Sequence, residues 1–190
     1  MLLPRHVISA TTAVTLKRHI RDHIKASDLK QLNFTKDSEN RTVVYTDGCC
    51  LFNNSTVEQR QSGLGVFWGV DHVLNLSLPI FGKVLTSNRS EILAVHAAIL
   101  TAMQLGWKDL SICSDSMHVI NSCQTWLKWW AVNNWNTSTG AKVKNLDLWK
   151  PLQRDLKRLN VSFTKQGEDS NGIQMAHNLA NAGAKISRAT

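Results

Sequence analysis

The chain has 190 residues, with 22 Lys and Arg against 14 Asp and Glu, for a formal net charge of +8. Its 43% hydrophobic and 19% charged residues, 10 Gly and 3 Pro exclude a disordered, collagenous or low-complexity protein. No apolar run is long enough to cross a bilayer, and the length suits one domain with a small appendage. The positive surplus points to a polyanionic partner, either nucleic acid or an anionic surface.

In chain order, residues 1–41 stand apart from the rest. Leu16, Ile20 and Ile24 recur at helical spacing beside Lys17, Arg18, His19 and Arg21. The segment suits a mitochondrial presequence, a basic arm on nucleic acid or an amphipathic lead-in helix. It holds eight Lys and Arg against four Asp and Glu, so +4 of the +8 lies there. The chain therefore divides into a basic extension over 1–41 and a folded domain over 42–190.

From Thr42 the pattern predicts strands over 42–47, 63–70 and 73–80, close enough together for an antiparallel meander. Ile92, Val95, Ile99 and Met103 then predict a helix over 88–105 with Ser87 as its N-cap. A strand over 110–114, a helical stretch that begins with Met117 to Cys123, a helix over 146–159, a strand over 160–164 and a helix over 171–186 give the order βββ-α-β-α-α-α-β-α. This is an α/β chain with a five-stranded mixed sheet flanked by helices. The four cysteines have no metal-binding spacing, and adjacent Cys49 and Cys50 point to opposite faces of a strand. They read as thiols of a reducing, intracellular compartment.

Three acids sit where elements meet: Asp47 at the close of the first strand, Glu91 in the first turn of the long helix and Asp115 after the fourth strand. Each alone reads as a turn former or a solvated side chain. If the first and fourth strands are neighbours, all three converge at one sheet edge. Carboxylates that close repel one another unless cations neutralise them, and hard oxygen ligands select Mg²⁺ or Mn²⁺. A basic surface with an acidic metal pocket is what phosphodiester hydrolysis requires.

The stretches VVYTDGCC (43–50), GLGVFWG (63–69), LTSNRSEILAVHAAI (85–99), SDSMHVIN (114–121) and TWLKWWAVNNWNTSTGAKVKNLDLW (125–149) resemble the type 1 ribonucleases H, the eukaryotic cellular branch in particular. The resemblance runs from about Thr42 to Ile186 and implies the ribonuclease H-like fold. It also implies cleavage of the RNA strand of an RNA/DNA hybrid by a monomer using two divalent cations, leaving 5′-phosphate and 3′-hydroxyl ends. It puts the first three catalytic and metal-binding carboxylates on Asp47, Glu91 and Asp115. Cys50, Asn53, Ser87 and Asn88 would lie along the minor groove, where the 2′-hydroxyl identifies RNA. Thr86 and Asn145 match a pocket for a DNA-strand phosphate.

The Trp-rich stretch holds five of the chain's seven Trp, interleaved with Lys128, Lys142 and Lys144. Trp149 and either Trp126 or Trp129 are expected in packing, with Trp130 nearer the DNA. The last helix, GIQMAHNLANAGA (172–184), departs from the family pattern and places His177 where the fourth carboxylate belongs. His177 has three open roles: metal ligand, water-orienting group or general base. Glu168 or Asp169 is the substitute acid if it has none. The family's Gly-His-Ser-Gly turn is Gln166-Gly167-Glu168-Asp169 here. The leading reading is an endonuclease of RNA/DNA hybrids, with no membrane attachment. The alternative is a hybrid-binding module impaired by His177. Nucleus, cytosol and mitochondrion all fit.

Overall fold

β-branched and aromatic residues from Thr42 onward form the centre of one five-stranded sheet. The structure, a computed structural model, describes residues 32–186. The arm, presequence or lead-in helix expected around Leu16, Ile20 and Ile24 lies outside the described residues. The strands are β1 (Thr42–Leu51), β2 (Gln61–Phe67), β3 (Leu76–Ile80), β4 (Asp109–Ser114) and β5 (Asn160–Lys165), in the spatial order β3-β2-β1-β4-β5. β1, β2 and β3 form the expected antiparallel meander, whereas β1 with β4 and β4 with β5 are parallel. Parallel neighbours need long crossovers. Helix α1 (Ser87–Gln104) supplies the first, and α2 (Met117–Asn121), α3 (Leu127–Val132) and α4 (Leu146–Leu156) supply the second. Helix α5 (Asn171–Ile186) closes the fold. The α/β class, the mixed sheet and the element order are those the sequence predicts.

Helix α1 is buried without a break from Ile92 to Ala102. Ile92 and Ile99 join Val44, Leu64, Val66 and Ile112 in a core from which water is excluded. Truncating one such side chain, Ile99→Ala, is expected to cost about 2–5 kcal/mol. The helix is capped by Thr86, not Ser87, with the Thr86 hydroxyl accepting the Arg89 N–H at 3.3 Å. This start puts Glu91 in the second turn, not the first.

β1 does not stop at Asp47. It runs through Gly48 because a glycine there lets α1 lie directly on the strand, where a Cβ would collide with the backbone of Ser90 and Glu91. Helix α5 is seated the same way. Added Cβ atoms at Gly63 and Gly65 would strike the backbone of Ala180 and Ala176, and one at Gly183 would strike Leu78.

The composition change at Thr42 is not the edge of the packed body. Leu32 and Phe34 pack against the core, and the Phe34 ring centroid lies 4.7 Å from that of Trp107 and 6.2 Å from that of Trp68. The Val43 N–H donates to the Thr35 carbonyl at 2.9 Å, extending the sheet backwards.

The Trp-rich stretch divides differently from expectation. Trp130 is buried with Trp149, their ring centroids 5.8 Å apart, whereas Trp126 and Trp129 are 37% and 48% exposed. A π-helical turn over Ser122–Trp126 joins α2 to α3 and shifts the phase of the ring positions. Trp130 is therefore a core residue, and the exposed rings are its two neighbours.

Candidate active site

The register of β1 and β2 assembles the site. Asp47 pairs with Gly65, whose bare backbone meets Ala176, and the next residue of α5 is His177. The outcome is a 2.7 Å hydrogen bond between His177 Nδ1 and Asp47 Oδ2. The other Asp47 oxygen accepts the Gly48 N–H at 2.7 Å. Asp47 is buried and the His177 side chain is 56% exposed, so an Nδ1–H donating to the carboxylate would leave the other ring nitrogen, Nε2, as an acceptor.

Glu91 comes from α1, close to Asp47 because of Gly48. Its Oε2 accepts the Ser116 hydroxyl at 2.6 Å, and Ser116 Oγ also receives the Val119 N–H as N-cap of α2. Asp115 lies between the end of β4 and that cap. The Glu91 pKa is raised, by burial first and then by the charges of Asp47 and Asp115, although the Ser116 bond opposes the shift. The Asp115 pKa is raised by burial, by Asp47 and by Glu168. The three predicted carboxylates thus act electrostatically on one another. Glu168 adds its charge to the same negative field at Asp115.

This donor chemistry suits hard divalent cations, because like charges raising one another's pKa values are relieved by a positive ion. Imidazole suits Mn²⁺ better than Mg²⁺. Among the described residues, no three or more His, Cys, Asp or Glu side chains are already gathered as a metal cage.

A second polar feature flanks the acids. Asn53, Val84, Thr86, Ser87, Asn88, Arg89, Lys144 and Asn145 line a cavity of about 590 Å³. The predicted substrate residues Asn53, Thr86, Ser87, Asn88 and Asn145 are thus brought together. Cys50 stands near the end of β1, three residues ahead of Asn53, and is half-buried. Arg89 donates to Asp147 at 2.9 and 2.5 Å and to the Asn145 side-chain oxygen at 3.2 Å, tying α1 to the start of α4. With the Arg89 charge matched by Asp147, Lys144 is the cation of the lining that no acid of that lining offsets. Trp126 is exposed on the adjoining helical stretch, whereas Trp130 is withdrawn into the core.

The RNase H family model matches residues 39–185. The chain belongs to the RNase H family. It is 35% identical to mouse Ribonuclease H1 over 147 residues, covering 76% of this chain and 50% of that protein. It is 39% identical to Ribonuclease H of Schizosaccharomyces pombe over 146 residues, covering 76% and 53%. The chain thus spans about half the length of these curated relatives. Ribonuclease H of Francisella tularensis subsp. novicida is 33% identical over 148 residues, covering 75% of this chain and 90% of the relative. Among solved structures, a foamy viral protease-reverse transcriptase in complex with dsDNA superposes with a TM-score of 0.61 at 25% identity, covering 76% of this chain and 94% of that one. LC9-RNase H1 gives a TM-score of 0.61 at 22% identity, covering 76% and 72%, a likeness of fold alone.

Against the family frame, three residues escaped sequence reasoning. Ser116 looks like an ordinary helix cap, and only the structure reveals that its hydroxyl also holds Glu91. Arg89 and Asp147 are far apart in sequence, and nothing local announces their pairing. Their one sequence signal is position, since each falls in the first turns of a helix that begins beside a predicted site residue.

Proposed function

We propose that this chain hydrolyses the RNA strand of RNA/DNA hybrids endonucleolytically, leaving 5′-phosphate and 3′-hydroxyl ends. The observation that carries this reading is the convergence of Asp47, Glu91 and Asp115 over the central strand β1, beside His177, in a chain of the RNase H family. Asp47, Glu91 and Asp115 would hold two divalent cations, Mg²⁺ or Mn²⁺. When bound, these supply a lowered pKa for a nucleophilic water and stabilise charge on the phosphate and the leaving oxygen.

The chain's own groups have separate tasks. Ser116 fixes the Glu91 carboxylate by hydrogen bond. Asp47 orients the His177 ring, so that Nε2 faces outward as the acceptor that takes a proton from, or aligns, the attacking water. Asn53, Ser87 and Asn88 offer polar groups to the minor groove, where a 2′-hydroxyl both donates and accepts. Thr86, Asn145 and Lys144 receive a phosphate of the DNA strand, beside the N-terminus of α1. Exposed Trp126 packs on the DNA sugar face. The four cysteines are free thiols, which supports a reducing, intracellular compartment. No described helix is long and apolar enough to cross a membrane.

The test is cleavage of an end-labelled hybrid, with duplex RNA and duplex DNA as controls, in Mg²⁺ and separately in Mn²⁺. Cleavage confined to the RNA strand of the hybrid is expected, faster in Mn²⁺. Hybrid binding without cleavage in either ion would instead select an impaired hybrid-binding module, a reading favoured by the engagement of Asp47 with His177.

A further inference from the structure

Phe52 is a large aromatic residue with a left-handed backbone, φ 57°, and its surface is 55% exposed. That conformation is rare for a bulky residue, and the exposed ring gains no core packing in return. The turn that carries it is nevertheless braced. The Ser55 N–H donates to the Phe52 carbonyl at 2.8 Å, and Arg60 Nε donates to the Ser55 carbonyl at 3.1 Å. The same guanidinium reaches across to the Leu85 carbonyl at 3.0 Å, next to the Thr86 cap of α1.

Arg60 thus ties the turn after β1 to the loop before α1, and the ring projects from a fixed platform. Its place is equally specific. Phe52 and Leu85 line a cavity of about 560 Å³, whereas neighbouring Asn53, Val84 and Thr86 line the phosphate cavity. Phe52 thus lines one cavity while the next residue, Asn53, lines the other.

We propose that Phe52 is a substrate-reading residue whose ring packs against the apolar edges of the sugars in the minor groove of the bound hybrid. The inference rests on the hybrid reading above and adds a hydrophobic contact to a polar face. A wide, shallow groove admits a ring without forcing the bases apart. The braced turn holds the ring in place before binding, so little ordering cost falls on association.

The experiment measures Kd for a fluorescently labelled hybrid by anisotropy in EDTA, KM and kcat for cleavage in Mn²⁺, and the melting temperature. It compares wild type with Phe52→Asn, Phe52→Tyr and a control, Val73→Ser, an exposed apolar site on the loop between β2 and β3. Asn tolerates the left-handed backbone. Phe52→Asn is therefore expected to melt at or above the wild-type temperature, while Kd and KM rise by about fivefold or more and kcat holds. Phe52→Tyr restores binding, and Val73→Ser changes nothing. An unchanged Kd in Phe52→Asn overturns the proposal, and so does a lowered melting temperature, which would make the ring part of the fold. A wild-type chain that binds hybrid no better than duplex DNA overturns the hybrid reading itself. A wild type that prefers hybrid without cleaving it still lets the Kd series decide the role of Phe52.

Discussion

The two long helices flanking β1 reach the site by the same device and arrive with different chemistry. Helix α1 lies on the strand through Gly48 and delivers Glu91; α5 lies on the sheet through Gly63, Gly65 and Gly183 and delivers His177. Helix α1 is deeply buried and tied to α4 by Arg89–Asp147 and by His96–Asp155, whose 2.9 Å bond is sealed in the interior. One face of α5 is open to solvent, and His177 lies largely on it. Backbone closeness thus sets where each functional group stands, and the side chain alone sets what it does. The sealed side leaves little room for change, whereas the open side holds an imidazole beside Asp47 with half of its surface in solvent.

The largest effect should come from the residue both helices serve. Asp47→Asn is expected to lower the cleavage rate by about a thousandfold or more while hybrid binding persists, as single-turnover assays and anisotropy would reveal. Undiminished cleavage would sink the whole site. Next, Gly48→Val and Gly65→Val should each destabilise the fold by about 3 kcal/mol or more, because backbone, not a flexible side chain, stands in the way. Chemical denaturation checks this, and a mild effect at either site would break the claim that close approach positions the helices.

On the sealed side, Asp155→Ala leaves buried His96 unpaired and should cost about 2–3 kcal/mol, whereas the double change His96→Leu with Asp155→Leu should recover most of it. Burial lowers the His96 pKa despite the neighbouring Asp155, and burial also lowers those of His72 and His118. The unfolded chain therefore binds more protons once pH falls below the free imidazole value of 6.5. Stability from these groups is full above that pH and is lost on acidification through and below it. Urea midpoints measured from neutral pH down to about pH 5 should fall, and the double variant should fall less.

On the open side, His177→Asp should raise the Mg²⁺-supported rate by about tenfold and narrow the difference from Mn²⁺, with little change in melting temperature. Equal rates with both ions in both proteins would remove the special role of His177. Ser116→Ala is the smallest change. It should cost about 1 kcal/mol of stability through the lost cap and slow turnover by freeing Glu91.

Much of this was legible before any coordinates. Periodicity locates every strand and predicts a helix over 171–186, where α5 stands, because its amphipathic pattern starts at Asn171 and ends in solvent. Asp115 is legible from its place after the fourth strand, and His177 from the motif order of the last helix. Asp47 was placed at a strand end because Asp-Gly usually signals a turn, and only tertiary packing explains why β1 passes through it. Trp130, expected nearer the DNA, is buried, because the π turn ahead of α3 sets the phase of the rings and is not visible in the sequence. Arg89–Asp147 and His96–Asp155 join α1 to a helix more than fifty residues later, a pairing that no local signal encodes.

Phe34 carries a practical consequence for anyone who trims this chain. Composition invites a cut at Thr42, as though everything before it were a disposable leader. Phe34 is in fact the cover of an aromatic nest formed with Trp68, His72 and Trp107. A shortened chain beginning at Thr42 would bare two indole rings at the end of the sheet and invite self-association. Its poor behaviour in solution would then be mistaken for a property of the catalytic fold.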